Sequence, residues 1–174
     1  MKLISCTIEN FGKLNNVTYD FSGECNTICE DNGWGKSTLA SFIRVMFYGF
    51  KNESKKKLVD KERNRLMPWQ KGVYGGEIVF ETGGVVYSLR RTFGKKQVDD
   101  EFLLVRKDTN VECDDFSCDI GEELFKIDAQ SFERTVFIGQ SDCVTATTDS
   151  INAKIGNLAD NTDCLLYTSP SPRD

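Results

Sequence analysis

The stretch at residues 26–39, NTICEDNGWGKSTL, constrains the fold of this chain more than any other. Residues 26–29 predict a short buried strand, Asn32-Gly33 predicts a tight turn, and Gly-Lys-Ser-Thr at 35–38 opens a helix. A strand, a glycine-containing turn and a helix in this order are the layout of a phosphate-binding loop. Such a loop holds the phosphates of a nucleotide on backbone N–H groups at the helix N-terminus.

Three features of this stretch agree with that interpretation. Gly33 and Gly35 let the backbone turn with positive φ and approach an anion without a Cβ in the way. Lys36 places a cation in the first helical turn, which opposes the helix dipole by a few tenths to about 1 kcal/mol unless a phosphate sits there. An amphipathic helix is predicted over residues 37–50. Its apolar side chains recur at helical spacing: Leu39, Phe42, Ile43, Met46, Phe47 and Phe50.

One position departs from the strict pattern G-x-x-x-x-G-K-[ST], because Glu30 stands where the first glycine is expected. A carboxylate beside bound phosphates is unfavourable, so we expect its side chain to point away while its backbone lines the turn. The alternative interpretation is an Asn-Gly turn that caps an ordinary core helix.

Length and composition limit the function classes. The 174 residues fit one domain with a real core, and the net charge of −5 gives no global case for nucleic-acid binding. No apolar run approaches a membrane span and no signal peptide is evident, so a cytoplasmic location and no membrane partner are expected. The seven cysteines lack zinc-like spacing and are expected to be reduced thiols, and the absence of histidine excludes a His-based triad.

Alternating side chains predict an antiparallel β region with one apolar face and one face that bears Arg90. Residues 2–10 and 17–21 form a first hairpin around Phe11-Gly12-Lys13, and residues 77–81 and 85–93 form a second. A further strand is predicted at 101–107. Asn10 and Phe11 lie either near a bound base or simply at the hairpin turn.

The C-terminal third predicts shorter elements. A helix is expected at 122–125, and a second at 129–134, capped by Asp128 and with Phe132 facing inward. A short buried strand follows at 135–138. From about 148 to 163 a polar helical stripe resembles the entry to a longer helix.

Residues 51–71 are strongly basic. The stretch is either a solvated loop or a contact for the DNA phosphate backbone, with Trp69 as its anchor or packed on the domain. Its cations outnumber its three acidic residues and are Lys51, Lys55, Lys56, Lys57, Lys61, Arg63, Arg65 and Lys71.

Residues 164–174 change abruptly to a Ser/Pro-rich tail without periodicity. One permitted back-translation of this tail resembles the transposase adapter of sequencing libraries, so we interpret it as a translated adapter and exclude it from the fold. The alternative is a natural disordered tail. On the first interpretation the domain comprises residues 1–163 and the native protein continues beyond them.

Four segments together resemble the N-terminal half of an SMC/SbcC/RecF-type ATPase head: residues 8–12, 26–38, 39–50 and 131–140. More narrowly, the chain is similar to bacterial AAA-family proteins that carry Asn-Gly-Trp-Gly-Lys-Ser-Thr. The resemblance covers nearly all of residues 1–163. It implies an α/β P-loop NTPase half-head of the ABC type, with an antiparallel β subdomain beside a parallel core sheet, truncated before a long coiled coil.

The resemblance also implies roles within a phosphate loop at 30–38 and a Q-loop near 140. Lys36 would reach the β- and γ-phosphates of ATP, and Ser37 would ligate Mg²⁺. Gln140 would sense Mg²⁺ and the attacking water; the alternative is an exposed amide at a strand end. The α- and β-phosphates would be cradled by Thr38 and the backbone of Asn32, Gly33, Trp34 and Gly35.

Residues 1–163 lack the Asp-Glu pair and the signature loop that phosphoryl transfer in this class requires. The resemblance therefore implies an ATPase whose isolated half is inactive. It also implies DNA double-strand break repair or DNA-end processing, heads that dimerise on ATP, and an SbcD-type nuclease partner. Two alternatives stay open. One is a transport ATPase subunit, which an aromatic residue stacking on adenine ahead of the loop would favour. The other is a nucleotide-gated structural tether without turnover.

Overall fold

The computed structural model describes residues 1–23, 25–50, 61–138 and 152–153. The chain divides into two compact units, Met1–Leu124 and Phe125–Asp174. Several predictions lie outside the described residues: Gln140, residues 51–60 of the basic stretch, most of the helical stripe at 148–163, and the tail at 164–174. Within the described part, none of the helices has the length and apolar character needed to cross a membrane.

The first unit is built on one six-stranded sheet in which every neighbouring pair is antiparallel. Its strands follow the order β2-β1-β3-β4-β5-β6. They are β1 Lys2–Phe11, β2 Leu14–Asp20, β3 Gly75–Thr82, β4 Val85–Thr92, β5 Glu101–Arg106 and β6 Val111–Glu112. Both predicted hairpins are confirmed, as is the further strand predicted at 101–107, whereas β6 was not predicted. The described residues contain no parallel strand pair, so the parallel core sheet implied by the resemblance is not seen in this part of the chain.

The described residues form four α-helices, of which the last belongs to the second unit: α1 Lys36–Tyr48, α2 Glu62–Arg65, α3 Ile120–Phe125 and α4 Ala129–Thr135. The predicted amphipathic helix is confirmed as α1. Of its predicted apolar stripe, Leu39, Phe42, Met46 and Phe47 are buried, whereas Ile43 and Phe50 are half-buried. The helix ends at Gly49, whose φ of 76° stops helical propagation and whose N–H donates to the carbonyl of Val45 at 2.8 Å. The short helix α2 was not predicted, because four polar residues give no apolar period.

The core lies on one face of the sheet. Cys6, Ile78, Leu89 and Leu104 are cross-strand partners on four successive strands, and all are almost completely buried. The opposite face carries charged pairs, including Arg90 with Glu9 and Lys107 with Glu77 at 3.2 Å. The predicted division into an apolar face and a face bearing Arg90 is therefore confirmed.

Residues 26–29 do not form the predicted buried strand. Residues 25–31 adopt no regular secondary structure and are exposed. A strand needs a neighbour to accept and donate its backbone hydrogen bonds, and none of the six strands of the described sheet pairs with this segment. At the start of this segment, Oδ1 of Asn26 accepts a hydrogen bond from the N–H of Ser22 at 3.0 Å.

The second unit begins with a capped helix. Oδ1 of Asp128 accepts from the N–H of Ser131 at 2.7 Å, and Phe132 is buried with its ring 4.9 Å from that of Phe125, which confirms the predicted cap and the predicted inward face. The predicted buried strand at 135–138 is wrong. Helix α4 continues through Thr135, and the N–H groups of residues 136 and 137 still donate to the carbonyl of Phe132. Ile138 is 71% exposed.

Candidate phosphate-binding site

The predicted phosphate loop, residues 30–38, packs against the turn of the first hairpin. Gly33 and Gly35 have φ values of 84° and 129°, which favour glycine. A Cβ on Gly35 would lie 2.9 Å from Cδ2 of Leu14 and 3.3 Å from Cε of Lys13. Glycine at 35 is therefore required both by the backbone conformation and by the close approach of the hairpin.

The N-terminus of α1 is arranged to receive an anion. Gly35 is its N-cap and supplies no side-chain hydrogen bond, and the first turn contains no acidic residue. The first N–H groups of any helix lack intrahelical acceptors and carry a partial positive charge. Lys36 adds a full charge at the same place, and its side chain is exposed.

Lys36 folds back onto its own loop. Its Nζ donates to the backbone carbonyls of Glu30 and Asp31, the latter at 3.0 Å. The Glu30 backbone thus lines the turn, as expected from the sequence, and the Glu30 residue is exposed. Two neutral carbonyls are weaker partners for an ammonium group than phosphate oxygens are. We therefore expect Lys36 to exchange these carbonyls for phosphate oxygens when a phosphate binds.

Lys13 is a second cation at this loop and was not identified from the sequence. It lies in the two-residue turn between β1 and β2, where the N–H of Gly12 donates to the carbonyl of Leu66 at 2.7 Å. Its Nζ is 3.9 Å from the position that a Cβ on Gly33 would occupy. The sequence showed a turn at this point, but no local pattern indicates that the turn lies over a loop twenty residues away.

A cavity of about 450 Å³ opens beside the start of α1. It is lined by Gly12, Lys13, Ser37, Thr38, Ser41, Arg65, Leu66 and Trp69. Among the described residues, two cations and three hydroxyl groups line it and no carboxylate does, so the cavity suits an anionic ligand. Its volume lies within the range of small-molecule sites.

Helix α2 brings Arg65 and Leu66 to this cavity and is fixed from behind by buried ion pairs. Arg63, only 2% exposed, binds both carboxylate oxygens of Asp100 at 2.6 and 2.7 Å and the carbonyl of Gly94 at 3.1 Å. Arg44 pairs with Glu62. Arg63 is one of the cations of the predicted basic stretch. Because it is buried, it is not available for a surface contact with DNA.

The remaining loop residues lie outside the large cavity. Asn32 is exposed, and Trp34 makes an edge contact with Tyr19 at a centroid distance of 5.8 Å. Burial, followed by the charges of Cys6 and Glu30, raises the pKa of Tyr19 above its ordinary value. The aromatic pair fixes the outer side of the loop, and Tyr19 stays neutral at physiological pH.

The structure therefore separates the predicted site residues into two groups. Ser37 and Thr38 line the large cavity, whereas Lys36 lines a smaller apolar cavity of about 170 Å³ with Ile28, Leu39, Ala40 and Ile43. Phe11 belongs to the core of the domain. It is fully buried and meets Phe42 edge to face at 5.2 Å.

The donor groups fit a nucleotide with Mg²⁺. Lys13, Arg65 and the helix N-terminus suit phosphate oxygens, and the hydroxyl of Ser37 is a hard oxygen donor of the kind that Mg²⁺ accepts. Mg²⁺ commonly takes only one or two protein ligands and completes its shell with phosphate oxygens and water. A single protein ligand, the hydroxyl of Ser37, is consistent with this coordination pattern.

The comparison with known families decides the class. The family described as "AAA domain" matches residues 5–165, which is most of the chain. The chain belongs to this family. Membership indicates a nucleotide-binding ATPase in general, and proteins of the AAA ATPase family generally use ATP and Mg²⁺. A relative, the uncharacterized protein YhaN of Bacillus subtilis (strain 168), is 35% identical over 82 residues. That match spans 47% of this chain and 8% of the relative.

Proposed function

We propose that this chain is the ATP-binding half of an SMC/SbcC-like ATPase that acts in DNA double-strand break repair or DNA-end processing. One observation carries the nucleotide part of the proposal. A cavity without carboxylates joins the hydroxyl groups of Ser37 and Thr38 to the cations of Lys13 and Arg65, beside a helix N-terminus that has no acidic cap. A polyphosphate satisfies all of these groups at once.

Each predicted residue has a place in this proposal. Lys36 exchanges the carbonyls of Glu30 and Asp31 for the β- and γ-phosphates, and Ser37 ligates Mg²⁺, which would neutralise phosphate charge. Thr38 and the backbone of residues 32–35 bind the α- and β-phosphates. Gln140, outside the described residues, is proposed to sense Mg²⁺ and the attacking water.

The DNA-related part rests on the resemblance to SMC/SbcC heads and on the basic stretch. Within the described portion of that stretch, Arg65 and Lys71 are exposed while Arg63 is buried. We propose that two heads dimerise on ATP, that the closed pair clamps DNA, and that a nuclease of the SbcD type is a partner. A transport ATPase is less well supported, because the aromatic residue lining the cavity, Trp69, follows the loop instead of preceding it.

The direct test is ATP binding to the full 174-residue chain by isothermal titration calorimetry in the presence of Mg²⁺. Lys36→Ala removes charge-assisted hydrogen bonds worth about 1.5–3 kcal/mol, so the affinity should fall about tenfold to a hundredfold. Lys2→Ala is the matched control, because Lys2 is an exposed lysine at the other end of β1.

Equal affinity of the wild type and Lys36→Ala would contradict the phosphate-loop assignment. If wild-type affinity were lost equally in Lys2→Ala, the effect would belong to net charge and not to the loop. Circular dichroism of each variant establishes that the chain is folded before binding is compared.

A further inference from the structure

Trp69 is 99% exposed, more than any other large hydrophobic residue in the described part of the chain, and it lines the large cavity. Tryptophan usually buries a large apolar area. Leaving an indole in water costs free energy that burial would recover. An indole at the wall of a cationic cavity is therefore poised to be covered by a ligand with an aromatic face.

The cavity is longer than a polyphosphate site at the helix start requires. Ser37 and Thr38 lie in the first turn of α1, and Ser41 lies one turn further along, about 6 Å down the axis. All three line the same cavity as Trp69 and Leu66. A nucleotide that extends beyond its phosphates would have an apolar side chain and an indole on the walls of the same cavity.

We propose that this cavity also seats the nucleoside of the bound nucleotide, with the base stacked on the indole of Trp69. Leu66 would supply an apolar edge, and Arg65, which is exposed and lines the same cavity, would contact the sugar–phosphate junction. This inference rests on the proposed nucleotide function and adds the residues that recognise the base.

The segment that carries Trp69 is held for this role. The carbonyl of Leu66 accepts from the N–H of Gly12, in the same turn that presents Lys13 to the loop. Helix α2 lies just before this segment. It is fixed by the ion pair of Arg63 with Asp100 and by that of Glu62 with Arg44. The wall that meets the base and the turn that meets the phosphates are thus joined by a backbone hydrogen bond.

The test compares two ligands that differ only in the nucleoside. Affinities for MgATP and for magnesium tripolyphosphate are measured by calorimetry on wild type, Trp69→Ala and Trp69→Phe. Base–aromatic stacking predicts a loss of about tenfold in ATP affinity for Trp69→Ala, with tripolyphosphate affinity unchanged. Trp69→Phe keeps an aromatic face and should retain ATP affinity within about threefold. Val98→Ala is the control, since Val98 is also apolar and 88% exposed.

The outcomes separate this inference from the function on which it rests. ATP affinity unchanged in Trp69→Ala, with tripolyphosphate still bound and still lost in Lys36→Ala, overturns the base seat and leaves the phosphate site standing. If Trp69→Ala lowers the affinities for ATP and for tripolyphosphate equally, the base seat is also overturned. If Trp69→Ala reduces only DNA binding, the indole anchors DNA and the proposal is wrong. Failure of the wild type to bind either ligand removes both.

Discussion

Lys13 and Lys36 approach the same loop from different elements, one from a hairpin turn and one from the first residue of a helix. Both lie near a helix N-terminus, so three positive potentials converge on the loop of Gly33 and Gly35. Like charges in proximity repel one another. The site is therefore less stable empty than occupied by an anion, and ligand binding relieves this repulsion.

Lys13→Ala should lower ATP affinity about tenfold, because one cation facing the phosphates is lost. Its effect should shrink as salt rises from low to physiological ionic strength, since Lys13 is exposed and its field is screened. Calorimetric titrations at two salt concentrations measure both quantities. Lys2→Ala, about 30 Å away along the same strand, should change neither; an unchanged affinity in Lys13→Ala would remove the residue from the site.

At this scale the sequence identifies residues that belong to one local motif. Lys36, Ser37 and Thr38 follow one another in the chain, and this order alone predicts that they bind phosphate. The sequence does not identify Lys13, Arg65 or Trp69 as neighbours of the loop, because their proximity depends on how the hairpin and α2 pack. Packing of that kind is a property of the folded core and not of any local period.

Helix α2 is too short to be stable by itself and is held by two buried ion pairs. Arg44 links both flanks of residues 51–60, since it donates to the carbonyl of Gly49 at 3.0 Å and pairs with Glu62. Arg63 binds Asp100 and stacks over the ring of Phe50 at 4.5 Å. These contacts fix the element that supplies one wall of the cavity.

Arg63→Ala should destabilise the fold by about 3–5 kcal/mol, because it leaves a carboxylate with reduced compensation in a partly buried place. Arg90→Ala is the matched control: its pair with Glu9 lies on the charged face with half of the arginine side chain exposed. That exposed pair should contribute no more than about 1 kcal/mol. Urea unfolding followed by circular dichroism measures both; similar costs would show that burial of the Arg63 pair is unimportant.

Among the elements, those made by local pairing were predictable. Each hairpin joins strands that are adjacent in the chain, and the alternation of side chains identifies the buried face. The pairing of β1 with β3 and the path of residues 26–29 depend on contacts that are distant in sequence. Residues 135–138 are apolar enough for a strand, yet the preceding helix continues because its hydrogen bonds are already in place.

Among the described residues, the proposed site brings together groups that bind phosphates but none that activates water. The residues lining the large cavity include cations and hydroxyls but no carboxylate, and phosphoryl transfer to water in this class needs a group that positions and polarises it. The chain matches only 8% of the length of YhaN. Nucleotide binding and turnover by this chain are therefore measured separately.

We expect the 174-residue chain to bind MgATP while releasing phosphate no faster than its Lys36→Ala variant. Positioning of the phosphates alone lowers the barrier little when no group holds the attacking water in line. A coupled phosphate-release assay at saturating ATP, with enzyme concentrations high enough to detect a single turnover, measures the rate. Steady release that Lys36→Ala abolishes would show that the chain itself supplies the missing carboxylate, either from residues outside the described ranges or through association of two copies, and size-exclusion chromatography with ATP distinguishes these two sources.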